Sequence, residues 1–375
     1  MNIRSGLPTL KSGELDTQLF YALLNEYQRV PVVELPSSVP GGVTVTVCVP
    51  TYRHARSIEK CLDSILEQET DFTYEILIGE DGSTDGTREL CAEYSSKYPE
   101  RIRLFLHSRD NNIEINGYAT GRFNLLYLLS KANGEYIALC EGDDWWTDKN
   151  KLQTQVRAMS GSPGCNVSCH AAYAESARYS GSGGLIGYRG TEQKIIPAAD
   201  VILSGGGFCA TLAIMFRRTV IRKLPDWLIL APVMDYYLLA LAAAEGGCLY
   251  IPITVGVYGH CAASESWTNR VLANPKFAID FEISFLEYLE KLGGDVGPDN
   301  RPAVEYLRKT RMESILFAEH LPRHYRAAVY REIKRGLNLK LRFAWYLSGF
   351  GLFPALVWQI NKHLKSLGKY RIRAN

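Results

Sequence analysis

Between residues 43 and 140, short apolar runs alternate with stretches whose apolar residues recur at helical spacing. Val43–Val49 (VTVTVCV) is a β-branched run and predicts a strand buried on both faces. Over 57–68, Ile58, Leu62, Ile65 and Leu66 share one side of a helix, with Ser57 as its candidate N-cap. Lys60 stands three residues after Ser57, so there is no capping box. The alternation continues with a strand at Glu75–Gly79, a helix over Thr87–Tyr98 and a strand at Arg103–His107. A helix over Gly121–Ala132 carries Leu125, Leu126, Leu128 and Leu129, and Tyr136–Cys140 is the fourth strand. Strands separated by helices of this length predict an α/β fold, a doubly wound and mostly parallel sheet flanked by helices. Such sheets bind ligands beyond the carboxyl ends of their strands.

The flanks read differently. A helical pattern around Leu19, Leu23 and Leu24 runs into VPVVELPSSVPGG, whose prolines predict extended, loop-like chain. After Ser160 the rhythm changes: Gly181–Gly190 reads as a turn or loop, Leu203–Phe216 as apolar, Met234–Ala244 as helix and Cys248–Val257 as strand. From Pro275 the pattern is mostly helical. The expected divisions are an N-terminal extension (1–42), two halves of the main domain (43–160 and 161–270) and a helical C-terminal region (271–375).

Composition narrows the classes. The 375 residues suffice for one large domain and an appendage, and 46% hydrophobic against 22% charged residues predicts a sizeable core. Lys and Arg total 42 against 40 Asp and Glu, a net charge of +2, which gives no support to nucleic-acid binding. The nine cysteines are scattered; Cys48 and Cys140 lie in apolar runs and read as core. Cys165, Cys169 and His170 lie close together, but no second ligand pair with zinc spacing follows. A reducing cytoplasm is expected, with no apolar core of signal-peptide type in the first twenty residues. The longest apolar stretch, Phe343–Ile360, is broken by Gly349, Gly351 and Pro354, short of the ~20 residues a span needs.

Three clusters carry chemistry, each at the end of a predicted strand. Pro50-Thr51-Tyr52-Arg53-His54 offers an aromatic ring and a cation for a base and a phosphate. Glu80-Asp81-Gly82-Ser83-Thr84-Asp85 puts a carboxylate where it can accept from a base N–H or a ribose hydroxyl; Asp85 reads as an N-cap. Glu141-Gly142-Asp143-Asp144-Trp145-Trp146 gathers three carboxylates that repel unless something positive lies among them. A divalent cation shared with two phosphates answers that, and oxygen ligands favour Mg2+ or Mn2+. A solvated acidic surface loop would make poor use of two tryptophans. The glycine clusters 181–184 and 205–207 form no dinucleotide fingerprint, and no P-loop is present.

Taken together, VCVPTYRH, EDGSTDGT and GEYIALCEGDD resemble the family 2 glycosyltransferases over residues 43–265. Glu80 and Glu141 replace the usual first aspartates, and the E-G-D-D-x-W form resembles a bacterial subgroup of surface-polysaccharide enzymes. The resemblance implies a GT-A fold and an inverting, metal-dependent transfer from a nucleotide-diphosphate sugar, a UDP-sugar favoured, to a saccharide or lipid-linked acceptor. Residues 43–160 would bind the donor and 161–270 the acceptor. Pro50, Thr51, Tyr52, Arg53, Glu80 and Asp81 would hold the nucleotide, with Gly142, and Glu141 near the sugar or ribose. Asp143 and Asp144 would handle metal and diphosphate, and His260, in VYGH, could join the metal; Gly259 stands where the family commonly has arginine. Arg122 matches a basic position that could meet the diphosphate; its alternative is a surface helix arginine. Asp235, in MDYYLL, fits the general base that takes the acceptor proton, or else only a helix cap. Trp267 could stack on a sugar or lie in the core.

Aromatics over 341–360, followed by Lys362, Lys365, Lys369, Arg371 and Arg373, suit peripheral contact with an anionic membrane face; a packed helix with a basic end is the alternative. The expected location is the cytoplasm, extending to the inner face of the cell membrane. Two other functions compete: a non-catalytic sugar-nucleotide or glycan-binding subunit, and a sugar nucleotidyltransferase. The second usually has a glycine-rich, arginine-bearing loop where this chain has PTYRH.

Overall fold

The computed structural model describes residues 24–175, 184–259, 275–316, 318, 323–335, 337 and 339–348. The strands are β1 (Val33–Glu34), β2 (Val45–Thr51), β3 (Tyr74–Glu80), β4 (Ile102–Leu106), β5 (Glu114–Ile115), β6 (Tyr118–Ala119), β7 (Tyr136–Leu139), β8 (Trp145–Trp146), β9 (Val167–Ala174), β10 (Leu185–Ile186), β11 (Lys194–Ile196), β12 (Met215–Arg217) and β13 (Cys248–Tyr258). The helices are α1 (Ile58–Leu66), α2 (Thr87–Lys97), α3 (Arg122–Lys131), α4 (Lys151–Ser160), α5 (Ala198–Leu203), α6 (Met234–Ala243), α7 (Pro275–Asp295), α8 (Arg301–Leu316), α9 (Arg323–Ile333) and α10 (Leu339–Ser348).

The four predicted strands become β2, β3, β4 and β7, side by side and parallel in the order β4-β3-β2-β7. Among the described residues the whole sheet has eleven strands, ordered β1-β4-β3-β2-β7-β12-β9-β13-β11, with β10 beside β9 and β8 beside β13. β5 and β6 form a separate two-stranded ribbon. β12 pairs antiparallel with both β7 and β9, so it reverses direction between the parallel half and the rest. The fold is a mostly parallel sheet flanked by helices, with helices α7–α10 following it.

Both faces of the sheet are covered, which is why β2 and β3 read as near-continuous apolar runs. Val45, Val47 and Val49 pack with Ile58, Leu62 and Ile65 of α1 in one core. Cys48, on the opposite face, belongs to the other core, which includes Phe123 and Leu126 of α3 and extends to α6 and α7. Each such fully buried aliphatic side chain contributes roughly 1.5–3 kcal/mol through burial.

Two expectations change. The Pro-rich lead-in is not all loop: Val33–Glu34 pairs with Leu106–Phe105 as an edge strand. Asn111 also accepts from the Arg29 and Val30 amides at 2.8 Å each. Ser57 stands at the N-cap position of α1 as expected but makes no side-chain capping bond; its hydroxyl donates to the Gly142 carbonyl at 3.0 Å, tying the helix start to the acidic loop. Among the described residues, no helix is long and apolar enough to cross a membrane. Leu19, Leu23, Gly181, His260, Trp267 and the tail beyond Ser348 lie outside the described residues.

Candidate active site

The site is assembled from loops that leave the carboxyl ends of β2, β3, β4 and β7. Main-chain bonds stitch them together: Asp81 N–H donates to the Thr51 carbonyl (3.1 Å), His107 N–H to Glu80 (2.8 Å) and Gly142 N–H to Pro50 (3.1 Å). The turn after β2 is fixed by the next loop. Arg53 N–H donates to Ser83 Oγ (2.9 Å), His54 N–H to Thr87 Oγ1 (2.9 Å) and Ala55 N–H to Asp85 Oδ2 (3.2 Å). Arg53 adopts φ 56°, a left-handed conformation that costs a non-glycine residue energy and persists because these bonds impose it. Asp85 also accepts from Thr87 N–H (3.2 Å) and Thr87 Oγ1 (2.7 Å); the N-cap of α2 is Gly86, one residue on, so Asp85 braces the helix start from outside the cap position its sequence suggested.

Asp81 is 3% exposed, and its Oδ2 accepts from the Arg109 guanidinium at 2.6 Å. That guanidinium lies 4.0 Å over the Tyr52 ring. Burial pushes the Asp81 carboxyl up to about 6, with the Arg109 charge pulling against it. Ring, carboxylate and guanidinium thus form one wall with a donor beside an acceptor. Arg109, immediately past β4, was missed in the sequence: a single arginine after a strand has no pattern of its own.

Glu80 has different partners from the expected ligand. It is fully buried, and its oxygens accept from the Gly82 and Ser83 amides and from Arg88 Nε. It holds the turn that presents Asp81. Thr51 is also buried and meets His54 Nδ1 at 3.1 Å, while His54 Nε2 stands 3.8 Å from Asp143 Oδ2. A Cβ on Gly142 would collide with Thr51 Oγ1, so glycine there lets the acidic loop close on the β2 turn.

In the acidic loop, burial pushes the Glu141 carboxyl up to about 8, and the Asp143 and Asp235 carboxylates push the same way. Three acids from two distant parts of the chain therefore share one region. Asp143 is partly exposed (21%), whereas Asp144 is 1% exposed, with Oδ1 accepting from Gly259 N–H at 2.9 Å. Asp144 Oδ2 is buried and has no hydrogen-bond partner among the described residues. A Cβ on Gly259 would collide with the Asp143 carbonyl, so the arginine common at that place has no room here. The two tryptophans divide the work: Trp146 is buried and donates to the Leu212 carbonyl (3.1 Å), and Trp145 stacks under Lys60 Nζ at 3.5 Å.

Asp235 lies in the first turn of α6; Val233, not Asp235, is its N-cap. Its oxygens accept from Tyr236 N–H (2.8 Å) and, at 3.5 Å, from Thr211 Oγ1. Burial raises its pKa against the pull of that amide and of Arg122. Arg122 is neither on the surface nor turned to open space: it is buried and donates to the carbonyls of Leu228 (2.8 Å), Ile229 (3.4 Å) and Ala231 (2.8 Å). It clamps the chain that leads into α6.

Among the described residues no three His, Cys, Asp or Glu side chains stand together as a ready metal cage. Asp143, partly open, and the unpartnered Asp144 oxygen fit an ion that draws its other ligands from a substrate's phosphates and water, as Mg2+ commonly does. Cys165, Cys169 and His170 form no such group either; Cys165 donates to the Gly246 carbonyl and His170 Nδ1 meets Ala171 O.

Residues 46–224 match the family model for Glycosyl transferase family 2. An uncharacterized protein of Mycobacterium tuberculosis is 34% identical over 228 residues, covering 59% of this chain and 60% of that protein. An uncharacterized glycosyltransferase of Nostoc sp. is 26% identical over 184 residues, 48% of this chain and 52% of that one. The chain therefore spans about 60% of the length of the mycobacterial relatives it matches. Among solved structures, the mannosyltransferase PcManGT from Pyrobaculum calidifontis, in complex with GDP-Man and Mn2+, aligns with a TM-score of 0.50 and 17% identity, covering 95% of this chain and 92% of that one. That likeness shows the GT-A fold.

Proposed function

We propose, from the match of residues 46–224 to the glycosyl transferase family 2 model together with the site, that the chain transfers a sugar from a nucleoside diphosphate donor to a hydroxyl of a saccharide or lipid-linked saccharide, inverting the anomeric centre. The observation that carries this reading is the Asp81–Arg109–Tyr52 wall joined through the β2 turn, by Asp81 N–H to Thr51 and by His54, to the partly exposed Asp143.

Tyr52 stacks on the base, and Asp81 and Arg109 meet its edge. A carboxylate beside a guanidinium suits an edge with an N–H next to a carbonyl, as in uracil or guanine, over cytosine or adenine. Asp143 is the carboxylate placed to share a Mn2+ or Mg2+ with the diphosphate, and Asp144 anchors the loop to Gly259. A bound ion would offset the charge building on the departing diphosphate. Glu141 lies toward the sugar or ribose. Asp235 accepts the proton as the acceptor oxygen bonds to the anomeric carbon and the bond to the diphosphate breaks. A desolvated carboxylate with a raised pKa is a stronger base than one in water, which favours base over cap for Asp235. His260 follows Gly259 and is a candidate for the same ion. A polysaccharide or glycoconjugate is the proposed product class, with peripheral membrane contact through the C-terminal region.

Release of nucleoside diphosphate from UDP- and GDP-sugars in the presence of Mn2+ tests the reading. Asp143→Asn and EDTA are each expected to lower transfer by about 100-fold or more. Asp235→Asn is expected to lower transfer by a factor of roughly 10²–10⁴ while donor Kd is unchanged. A variant that keeps full transfer loses its assigned role; binding of donor without turnover with any acceptor class favours a non-catalytic subunit.

A further inference from the structure

Three thiols meet behind the segment that carries Thr211. Cys169 on β9 and Cys248 at the start of β13 are buried, with the Cys248 S–H donating to Cys169 Sγ at 3.6 Å. Cys209 ends the run Gly205-Gly206-Gly207-Phe208-Cys209, and its thiol is also hydrogen-bonded to Cys169. Cys209 is the one cysteine among the described residues that is not buried. Arg189 frames the cluster, with its guanidinium 3.8 Å over the Phe208 ring and donating to the Phe208 carbonyl at 2.9 Å. Cys61 and Cys140 also lie 3.8 Å apart, but both are sealed in the core.

Two positive-φ glycines lead into Cys209. Gly205 and Gly206 adopt φ 61° and 104°, conformations open chiefly to glycine. Two residues past Cys209, Thr211 donates to Asp235. Any displacement of Cys209 is therefore felt at the carboxylate proposed to take the acceptor proton.

We propose that Cys209 and Cys169 form a reversible oxidation site, in which a hydroperoxide converts the two thiols to a disulfide and draws Thr211 away from Asp235. The chemistry balances in two steps. The hydrogen bond to Cys169 and burial hold the thiol of the partly exposed Cys209 well above the usual range, so its sulfur attacks the outer peroxide oxygen as its proton passes to the Cys169 thiolate. The O–O bond breaks, the proton leaves with the alcohol or water, and Cys209 becomes a sulfenic acid. The Cys169 thiolate then attacks the Cys209 sulfur, the S–O bond breaks, and the departing hydroxide takes a proton from solvent to leave as water. Its two thiol hydrogen bonds, helped by Arg189, hold the Cys169 pKa well below the usual thiol range, which suits the resolving partner. Closing a sulfur–sulfur contact to about 2 Å moves the Cys209 segment by roughly an ångström, enough to cost on the order of tenfold or more in transfer. The effect on transfer rests on Asp235 being the base; the bond itself does not.

The test treats the purified full chain with graded hydrogen peroxide, blocks residual thiols with iodoacetamide and maps peptides by mass spectrometry. Transfer is measured in parallel, before and after dithiothreitol. A Cys169–Cys209 linked peptide is expected to grow in step with a tenfold or larger loss of transfer that dithiothreitol restores. Cys209→Ser is expected to keep its transfer rate through the same treatment. The proposal is overturned if Cys169 and Cys209 stay alkylatable, if the link joins Cys169 to Cys248, or if Cys209→Ser loses transfer as the parent does. Mapping in the parent chain decides the site even if the variant folds poorly. A linked peptide in a chain with no transfer under any condition would leave the oxidation site standing and remove the transferase reading.

Discussion

Asp81 is almost out of reach of water, and that sets how donor binding depends on pH. Its carboxyl is raised to about 6, chiefly by burial. Accepting from a base N–H requires the ionised form, so affinity should rise as pH climbs through 6. If only the carboxylate binds, Kd should fall by about tenfold from pH 5 to pH 7. For stability the sign reverses: the neutral acid is favoured in the folded chain, a contribution present below the ordinary aspartate value and lost as pH rises through 6. Calorimetric titration of a nucleoside diphosphate at several pH values, with Asp81→Asn as control for the phosphate's own titration, measures the binding effect. Equal pH dependence in both proteins would remove Asp81 from the base. At this scale the sequence was partly legible. Asp81 and Asp143 stand in motifs; Asp81 accepts from Arg109, and Asp143 is partly exposed near His54. Glu80 stands in the same motif, yet its partners are Gly82, Ser83 and Arg88. A motif preserves a turn and its ligand contact together, and spacing alone does not separate them. Arg109 was invisible because its significance comes from Asp81, 28 residues away.

At the scale of elements, α3 and α6 are joined by one side chain. Arg122 starts α3 and donates to three carbonyls of the 228–231 stretch that leads into α6. Replacing it with methionine leaves buried carbonyls without donors, a cost of about 2–4 kcal/mol. It also removes a positive charge that lowers the Asp235 pKa. Arg122→Met should therefore lower the urea midpoint and move the rising limb of the pH–rate profile to higher pH, with donor Kd little changed. A variant with unchanged stability would show that the carbonyls find other donors. Helices α1, α2, α3 and α6 and the four parallel strands were legible because each presents several turns or pleats of period; α4 and α5 were not read. β12 was not: three residues carry no measurable alternation, and its place between β7 and β9 depends on both neighbours. β1 was masked by prolines, and its pairing is with a strand some 70 residues further on.

The two ends of the sheet are built for different purposes. At the amino end, the buried Glu75 accepts from Thr46 Oγ1 (2.7 Å), Asn133 N–H (2.9 Å) and Arg103 (3.4 Å), locking β2, β3 and β4 to the turn before β7. The Glu75 carboxylate there is fully paired. At the carboxyl end, acids are crowded, Glu141 and Asp144 are pushed upward in pKa, and the Asp144 oxygen lacks a partner. That contrast is what a folded state waiting for a cation and an anion together looks like, since either alone leaves charge unmatched. Thermal melting with UDP, GDP, TDP and CMP, each with and without Mn2+, follows from it. A ligand present at 100 times its Kd stabilises the folded state by about 2.7 kcal/mol, a shift of a few degrees. Nucleoside diphosphates with an imide-type edge should raise the midpoint more with Mn2+ than without, and CMP should not. A rise that ignores the metal would detach Asp143 from the diphosphate. A rise with CMP as large as with UDP would detach Asp81 and Arg109 from the choice of base. Failure of all four nucleotides would count against the donor site itself and leave the buried Glu141 and Asp144 without the ligand that their raised pKa values imply.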